Sequence, residues 1–275
     1  AADPELHNPG ARGSVARYAA GDDYHEVLGD RLRALAAGLE ALVEGPVESR
    51  VYVDTGPVIE RVAAAYAGLG WVGKNTCLIH PDLGSYLFLG VLVTDLRLDC
   101  DEQIEDLCGS CTACLDACPT DALVAPRVLN ATRCIAYTTI EDPGPIPEAL
   151  RHAHGDLVFG CDICQEVCPW NTRRARLFPD DPLGLRVRLA PRSEWDRPSL
   201  AWILELDETA WQRATRTSAM RRSKRRGLLR NALVAAGNSR DPKLMPQVEK
   251  LAAGADPMLA EHARWAIEQI DRAEA

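Results

Sequence analysis

The hydrophobic positions near the start of the chain change from a helical to an extended pattern. Residues 22–45 carry leucines three or four positions apart, as on one face of a helix: Leu28, Leu32, Leu35, Leu39 and Leu42. Asp22 and Asp23 are suited to cap this helix, and Gly45 is suited to end it. Residues 50–54, "RVYVD", alternate between apolar and polar side chains, which predicts a strand.

A second helix and a second strand are predicted directly afterwards. Residues 57–70 begin with Pro57 and end with Gly68 and Gly70, as helices often do. Residues 85–96, "SYLFLGVLVTDL", form an apolar run typical of a buried strand. The N-terminal part is therefore predicted to mix helices and strands.

The sequence "GLGWVGK" at residues 68–74 matches the G-x-G-x-x-G pattern of dinucleotide-binding loops. Such a loop follows a strand and opens a helix, whereas this one follows a predicted helix. Asn75 also stands where a phosphate-binding P-loop has Ser or Thr. We therefore favour a helix end and a tight turn over nucleotide binding.

The C-terminal part is predicted to be helical. Prolines in residues 171–198 indicate a linker, and Ser199 can cap the helix that follows. Two later segments open with Asp-Pro, at Asp241 and Asp256, which is typical of an N-cap followed by a proline in the first turn. Apolar positions line one face of each segment, which indicates a small HEAT-type helical stack.

Composition narrows the classes of function. The 275 residues allow roughly two domains, and the net charge of −9 excludes a general attraction to nucleic acids or anionic membranes. The chain has no apolar run long enough to span a membrane and no apolar signal region in its first residues. We expect a cytoplasmic protein without a membrane partner.

Eight of the ten cysteines lie between residues 108 and 168. The first run, Cys108 to Cys118 followed by proline, has the C-x2-C-x2-C-x3-C-P spacing of bacterial ferredoxins, in which the fourth cysteine ligates the other cluster. The second run ends at Cys168 and lacks the leading cysteine, which Cys134 can supply. We therefore predict two [4Fe-4S] clusters: one bound by Cys108, Cys111, Cys114 and Cys168, the other by Cys118, Cys134, Cys161 and Cys164.

Two alternatives to this ligand set are weaker. Zinc also takes four thiolates, but structural zinc sites usually separate two C-x2-C pairs, unlike this spacing. Cys100 could replace Cys134, although it lies before the first run. Cys77 and Cys100 are expected to be small buried thiols.

Residues 213–230 contain eight basic residues and no acidic one. The densest part is "RRSKRR", residues 221–226. One interpretation is a solvated helix face. The other is a surface that binds phosphate groups, with an affinity that falls steeply as salt is added.

Taken together, these segments resemble one family, the epoxyqueuosine reductases. The resemblance covers about residues 13–238 and rests on both cysteine runs and on these stretches: "ARYAAGDDYH", "VYVDTGPVIERVAAAYAGLGWVGKNTCLI", "GSYLFLGVLVTDL", "RCIAYTTIE", "FGCDICQEVCPWN" and "RRSKRRGLLRNALVAAGN". It implies an α+β or α/β fold: an α/β cobalamin-binding domain at 1–100, a ferredoxin-like two-cluster domain at 101–180 and a HEAT-like tRNA-binding region at 195–275.

The resemblance also implies an activity. Such enzymes reduce the epoxide of epoxyqueuosine in tRNA to an alkene, using two electrons, two protons, a cobalamin and two [4Fe-4S] clusters. The family's proton donor corresponds to Asp54, whose pKa burial would have to raise. On the residues alone, we would favour the interpretation that Asp54 caps the turn after its strand, at residues 55–57.

Further residues are carried over from the family. The resemblance implies that the cobalamin and the modified base are lined by Lys74, Asn75, Thr76, Cys77, Tyr137, Thr139, Gly160 and Cys161. It implies tRNA contacts by Ala136, Tyr137, Arg221, Arg222, Lys224, Arg225, Arg226 and Arg230. We expect a monomer that receives electrons from an external ferredoxin or flavodoxin.

Two departures from the family pattern bear on the cofactor. About a dozen residues precede "ARYA", whereas the family has a larger segment there. We therefore expect roughly eighty residues of a complete α/β domain to be absent from this sequence. We expect the cobalamin pocket to lack part of its wall. Ile163 also stands where the family commonly has an acidic residue.

Two other functions remain open from the sequence. One is a cobalamin-dependent reductase of a small molecule, such as a dehalogenase, which the basic segment disfavours. The other is a two-cluster electron carrier without catalytic activity.

Overall fold

A computed structural model describes residues 11–174 and 181–272, in which helices and strands are mixed. The strands are β1 (Ser14–Val15), β2 (Ser49–Tyr52), β3 (Trp71–Val72), β4 (Leu78–Ile79), β5 (Val91–Thr94), β6 (Leu123–Ala125), β7 (Val128–Leu129) and β8 (Leu157–Phe159). The helices are α1 (Tyr24–Glu40), α2 (Glu60–Tyr66), α3 (Ala113–Asp116), α4 (Ile135–Ile140), α5 (Glu148–Arg151), α6 (Ile163–Glu166), α7 (Leu185–Leu189), α8 (Leu200–Glu205), α9 (Glu208–Ala214), α10 (Lys224–Ser239), α11 (Met245–Ala252) and α12 (Pro257–Asp271).

The described residues group into two compact units, each built from distant parts of the chain. Of the described residues, the helical unit takes 11–22, 130–162 and 189–272. The mixed unit takes 23–129, 163–174 and 181–188. The second cysteine run is divided by this boundary, because Cys161 lies in the helical unit and Cys164 lies in the mixed unit.

The core of the helical unit forms around α10, which packs against α8 and α12. Leu228, Leu229 and Leu233 of α10 are almost completely buried, and each such side chain contributes about 1.5–3 kcal/mol of hydrophobic free energy. Gly237 allows the close approach of α12, because a Cβ atom there would lie 2.5 Å from the Trp265 ring.

The predicted helix beginnings in this unit are confirmed. The Ser199 hydroxyl accepts a hydrogen bond from the Trp202 N–H, and Asp241 and Asp256 cap the segments that follow them. The predicted linker at 171–198 is wrong in part, since α7 lies within it. Residues 175–180 of that linker lie outside the described residues.

The mixed unit begins with α1 and the antiparallel pair β2–β5, in register from Ser49 opposite Thr94 to Tyr52 opposite Val91. The strand predicted at 85–96 is limited to β5. Helix α1 ends at Glu40, before the predicted end at Gly45. Of the leucines at helical spacing, Leu35 and Leu42 are exposed, with exposed fractions of 53% and 83%. The leucine spacing predicted the helix correctly, but it did not predict which of the leucine side chains are buried.

The glycine-rich stretch after α2 forms the predicted helix end and turn, and a hairpin that was not predicted follows. Gly68 has a φ of +70°, and the short strands β3 and β4 pair antiparallel. A Cβ atom on Gly70 would lie 2.1 Å from the Ile79 carbonyl oxygen, so a side chain has no room there. In the described part of the chain, no helix has the length and apolar character required to cross a bilayer.

Candidate functional site

Four cysteines of the mixed unit surround one cavity of about 200 Å³. Cys108, Cys111 and Cys114 come from the first run and Cys168 from the end of the second, as predicted for one cluster. Ile79, Pro169 and Trp170 complete much of the wall. The Trp71 indole lies edge-on to Trp170, with ring centroids 4.9 Å apart, and its N–H donates to the Cys108 sulfur at 3.4 Å.

A lysine and an arginine hold the loop that carries the first cysteines. The Lys74 ammonium donates to the carbonyl oxygens of Gly109 and Cys111 at 2.7 and 2.8 Å. The Arg127 guanidinium pairs with Asp106, and that carboxylate accepts the Cys108 N–H at 2.9 Å. Lys74 therefore supports the cysteine loop, in addition to any contact with a cofactor.

Burial in the cavity disfavours the ionised thiolate form of these cysteines as long as no metal is bound. Burial raises the pKa of Cys114 to about 11, and neighbouring Cys164, Cys108 and Cys168 add to the effect. Burial also raises the pKa of Cys168. Iron ligands are thiolates, and metal binding must displace their protons. A group that brings its own positive charge therefore fits this cavity.

A single metal ion and a cubane cluster make different demands on four thiolates. Tetrahedral zinc requires four sulfurs at about 2.3 Å from one metal. Within residues 11–174 and 181–272, no three His, Cys, Asp or Glu side chains form a group that could hold one metal ion. A cubane cluster instead takes its thiolates at its outer corners, around a larger volume.

The ligands predicted for the second cluster are divided between the units, and that ligand set stays a prediction. Cys118 and Cys164 belong to the mixed unit, Cys134 and Cys161 to the helical unit. Burial opposes ionisation of Cys118, but N–H donors around it, including that of Ala122 at 3.3 Å, outweigh burial and lower its pKa.

Asp54 follows β2 in a left-handed conformation, with φ of +58°. Its Oδ2 atom accepts a hydrogen bond from the Tyr24 hydroxyl at 3.1 Å. The side chain is 62% exposed. The burial expected from the sequence is therefore wrong for the chain by itself.

Sequence reasoning missed His25, which lies beside Asp54. Its Nε2 atom is 3.4 Å from Asp54 Oδ2, and its Nδ1 atom is 2.7 Å from Asp23 Oδ1. The Tyr24 ring stacks on His25 with centroids 4.1 Å apart. The available signal was the stretch "DDYH" at 22–25, which we interpreted only as a helix cap.

Asn75, Thr76 and Cys77 form the turn between β3 and β4. Asn75 is 4% exposed; its side-chain oxygen accepts the Cys77 N–H, and its amide donates to the Cys164 carbonyl. Thr76 has a φ of +67°. These residues shape the hairpin and connect it to the second cysteine run, whatever else they contact.

In the helical unit, α4 and the residue before Cys161 form one hydrogen-bonded group. The Thr139 hydroxyl donates to the Ile135 carbonyl at 2.6 Å and accepts the Gly160 N–H at 2.9 Å. Thr139 is fully buried, which corrects the expectation that it lines the cofactor pocket. Tyr137 is 37% exposed and Ala136 is half-buried, so both can be reached by a partner.

Arg230 is also a correction, because it is 1% exposed and cannot contact tRNA. Its guanidinium donates to the carbonyl oxygens of Thr138, Asp142 and Gly144 and to the side chain of Asn231. Burial lowers its pKa to about 10, so it stays charged at neutral pH. This buried cation fixes the end of α4.

The other basic residues lie at or near the surface of the helical unit. Arg221, Arg222, Lys224 and Arg226 are exposed, and Arg225 is half-buried with a hydrogen bond to the Leu206 carbonyl. Arg222 pairs with Glu141 at 2.7 Å. Arg226 pairs with Asp256 and holds the pKa of that carboxyl at about 2.

Three of these cations occupy the first turn of α10. The N-terminus of a helix carries a partial positive charge, so cations there are unfavourable and anions are favourable. Lys224 also has a φ of +57°, which is rare for a residue with a side chain. The fold thus concentrates positive potential at this end of α10.

The cysteine cavity and the double cysteine run define the chain as an iron–sulfur protein. The family model described as a 4Fe-4S double cluster binding domain matches residues 107–171, which contain the seven cysteines of the two runs and Cys134. A second family model, described as epoxyqueuosine reductase QueG, DUF1730, matches residues 1–55.

Whole-chain comparisons extend this result. The chain is 43% identical over 265 residues to an epoxyqueuosine reductase of Xanthomonas campestris pv. campestris, covering 96% of this chain and 72% of that protein. It is 44% identical over 257 residues to the Pseudomonas aeruginosa epoxyqueuosine reductase, covering 92% and 68%. The chain belongs to the epoxyqueuosine reductase family.

Solved structures agree with this family. The Streptococcus thermophilus epoxyqueuosine reductase superposes with a TM-score of 0.87 at 33% identity, over 96% of this chain and 68% of that one. An epoxyqueuosine reductase solved with an epoxyqueuosine-modified tRNA-Tyr stem loop gives 0.86 at 34% identity, over 94% and 67%. The chain spans about two thirds of the length of these structures.

Proposed function

We propose that this protein reduces epoxyqueuosine to queuosine in tRNA. The observation that carries the proposal is the four-thiol cavity of the mixed unit, in a chain whose relatives are epoxyqueuosine reductases. The reaction adds two electrons and two protons to the epoxide; both carbon–oxygen bonds break, an alkene forms, and the oxygen leaves as water.

The residues support two [4Fe-4S] clusters as resident groups. Cys108, Cys111, Cys114 and Cys168 would hold one, and Cys118, Cys134, Cys161 and Cys164 would hold the other. The clusters would supply single electrons received from an external ferredoxin or flavodoxin. Lys74 and Asp106 would keep the first cysteine loop in position.

The residues predicted to contact cobalamin fit that group only in part. Thr139 is fully buried, Asn75 is nearly so, and the Lys74 ammonium already donates to two carbonyl oxygens. Cobalamin is the reducing group that the family resemblance implies, and these three side chains support their own units instead.

Asp54 is proposed to donate a proton to the departing epoxide oxygen. Its carboxyl is exposed and is held by the Tyr24 hydroxyl, so a substrate can reach it. A Bacillus subtilis epoxyqueuosine reductase at 33% identity has been solved with its catalytic aspartate loop swung out of the active site. Bound substrate would exclude water from Asp54 and favour its protonated form.

The exposed basic residues at the start of α10 are proposed to bind the tRNA backbone. Arg221, Arg222, Lys224 and Arg226 present cations at the surface, and phosphate contacts of this kind position a nucleic acid without reading its sequence. Tyr137 and Ala136 are proposed to meet the modified nucleoside. Arg230 acts indirectly, by fixing the end of α4.

The test is anaerobic reconstitution followed by two measurements. We expect about eight irons per chain, as two cubanes require. After cobalamin and a reductant are added, we expect mass analysis to show loss of one oxygen from epoxyqueuosine tRNA. Zinc in the cavity, or about four irons per chain, would contradict the electron path. Eight irons with unchanged tRNA would instead indicate an electron carrier.

A further inference from the structure

His25 is placed to serve Asp54, although it was not among the expected site residues. We propose that His25 positions the Asp54 carboxyl and returns a proton to it after each transfer to the substrate. This inference rests on the proposed role of Asp54 as proton donor. It adds a positioning residue to that role and a route by which protons enter the site.

The first observation is how firmly the imidazole is oriented. Asp23 caps α1, and its Oδ1 atom accepts the His25 backbone N–H at 3.0 Å while lying 2.7 Å from His25 Nδ1. A carboxylate at Nδ1 keeps a proton on that nitrogen, as in other acid–histidine pairs. The Nε2 atom is thereby left to face Asp54.

The second observation is the state of Nε2 itself. It is buried although the side chain is 32% exposed, and within the described residues it makes no hydrogen bond. Its neighbour is Asp54 Oδ2 at 3.4 Å, slightly beyond hydrogen-bond distance. Buried polar atoms are nearly always satisfied, so an unsatisfied one beside a reactive carboxyl requires an explanation. A small movement of the Asp54 loop would complete the bond.

The third observation is that Tyr24 fixes the distance between the two groups. Its ring is stacked between His25 and Phe88, with centroids 4.1 and 5.0 Å away, and its hydroxyl donates to Asp54 Oδ2. The titratable groups that face His25 are thus Asp23 and Tyr24 from the start of α1 and Asp54 from the loop after β2. Phe88 adds an apolar wall.

The number of protons that the reaction consumes indicates why Asp54 would need a second proton source beside it. The reaction consumes two protons, whereas a carboxylic acid holds one. After Asp54 has protonated the departing oxygen, the N–H bond at His25 Nε2 breaks and an O–H bond forms on Asp54 Oδ2. The neutral imidazole then regains a proton at Nε2 from hydronium or a buffer acid of the solvent, which becomes water or the conjugate base. The electrons come from the reductant of the proposed reaction.

The test compares substitutions of His25 in the reconstituted holoenzyme. His25→Gln can still donate a hydrogen bond to Asp54 but cannot carry a proton. We expect its turnover to fall by at least about tenfold, in the lower range of general acid–base effects, and its pH profile to differ from that of wild type. Added imidazole should restore activity to His25→Ala. His152→Gln, an exposed histidine of the helical unit, is the matched control.

A second measurement does not depend on activity. In ¹³C-histidine NMR spectra of the oxidised holoenzyme, Asp54→Asn should move the ring signals of His25, because Asp54 Oδ2 lies 3.4 Å from His25 Nε2. Unchanged His25 ring signals, or a His25→Gln enzyme with the wild-type rate and pH profile, would overturn the inference. If His25→Gln does not fold, His25→Asn keeps the bond to Asp23 and replaces it.

The outcomes also separate this inference from the proposed function. Full turnover by Asp54→Asn would refute Asp54 as the proton donor, whatever His25 does. An inactive Asp54→Asn together with an unaffected His25→Gln would refute only the role of His25.

Discussion

At the scale of single residues, Asp54 and Arg230 show that charge alone does not reveal a role. Asp54 is an exposed acid in a left-handed conformation, which costs a residue with a side chain roughly 1–2 kcal/mol. Arg230 is a cation in the middle of a packed unit. The backbone conformation of Asp54 and the burial of the Arg230 charge both cost free energy, which hydrogen bonds to each residue partly compensate. We therefore expect substitutions of the two residues to have different effects.

For Asp54, we expect two substitutions to distinguish the effect on activity from the effect on the free energy of unfolding. Asp54→Asn tolerates the left-handed conformation and should leave the unfolding free energy nearly unchanged, while reduction of epoxyqueuosine is lost. Asp54→Ala should lose the activity and also destabilise the protein by about 1 kcal/mol. Urea denaturation and single-turnover assays measure the two effects. An Asp54→Asn enzyme with full turnover would contradict the role of this acid.

For Arg230, we expect a large loss of stability. Arg230→Met leaves the carbonyl groups of Thr138, Asp142 and Gly144 without their donor, and each unsatisfied buried group costs about 1–3 kcal/mol. The unfolding free energy should therefore fall by at least about 3 kcal/mol. Arg221→Met, at an exposed position, should change it by less than about 0.5 kcal/mol. Equal effects of the two substitutions in denaturant titrations would refute the buried network.

At the scale of elements, α10 combines two tasks. Its C-terminal two thirds form the core of the helical unit, and its first turn carries Lys224, Arg225 and Arg226. Those cations oppose the helix dipole, although Arg226 pairs with Asp256 and Arg225 donates to the Leu206 carbonyl. A phosphate ligand would also be favoured at this end of the helix.

Removing charge from the start of α10 should weaken tRNA binding at low salt. For the double variant Arg221→Gln and Lys224→Gln, we expect the plot of log affinity against log salt to become less steep by about 1.5. This corresponds to about 0.7–0.9 for each of the two lost phosphate contacts. Arg240→Gln removes one charge from the other end of the helix, about 24 Å away, and should leave the slope unchanged. Filter binding at several salt concentrations measures this. Equal slopes for the double variant and wild type would show that this surface does not meet the tRNA.

Local signals predicted elements well and their surroundings less well. The Asp-Pro pairs at Asp241 and Asp256 fixed two helix beginnings, because capping depends on neighbouring residues alone. The helix end and turn at Gly68 were predictable for the same reason. Burial depends on distant segments of the chain. The spacing of the leucines from Leu28 to Leu42 could therefore not show that Leu42 lies in solvent, and a run of arginines could not show that Arg230 is buried.

At the scale of the whole molecule, buried histidines connect stability with pH. His262 is fully buried; its Nδ1–H donates to the Met258 carbonyl at 2.8 Å, and its Nε2 accepts the Ile146 N–H at 3.2 Å. Only the neutral ring satisfies both bonds. Burial, reinforced by Arg151, lowers the pKa of His262 to about 4. Burial lowers the pKa of His154 as well.

We therefore expect the protein to lose stability on mild acidification. A histidine whose folded pKa lies below its unfolded value of about 6.5 stabilises the fold fully above pH 6.5 and progressively less as the pH falls toward 4. Between pH 7 and 5, His262 should account for a loss of about 2 kcal/mol. Urea denaturation of His262→Gln should show a smaller loss, with His154 supplying the remainder. The control His152→Gln should keep the wild-type dependence, and an equal loss in His262→Gln would contradict this assignment.

The sequence could predict the four cysteines around the cavity but not the residues that lie beside Asp54. Cysteine spacing encodes ligand order directly, so the four residues around the cavity were predicted from it. His25 reaches Asp54 only through the contact between α1 and the loop after β2, 29 positions apart along the chain. That contact is a property of the fold, which local sequence patterns do not contain.

The ammonium group of Lys74 has an electrochemical consequence. It bonds to the backbone of the first cysteine loop and lines the four-thiol cavity, so a fixed positive charge lies beside whatever accepts electrons there. A nearby cation stabilises the reduced form of an iron–sulfur cluster and raises its midpoint potential. Lys74 would therefore make a cluster held by these cysteines an easier acceptor for an incoming electron and a weaker donor to the next group.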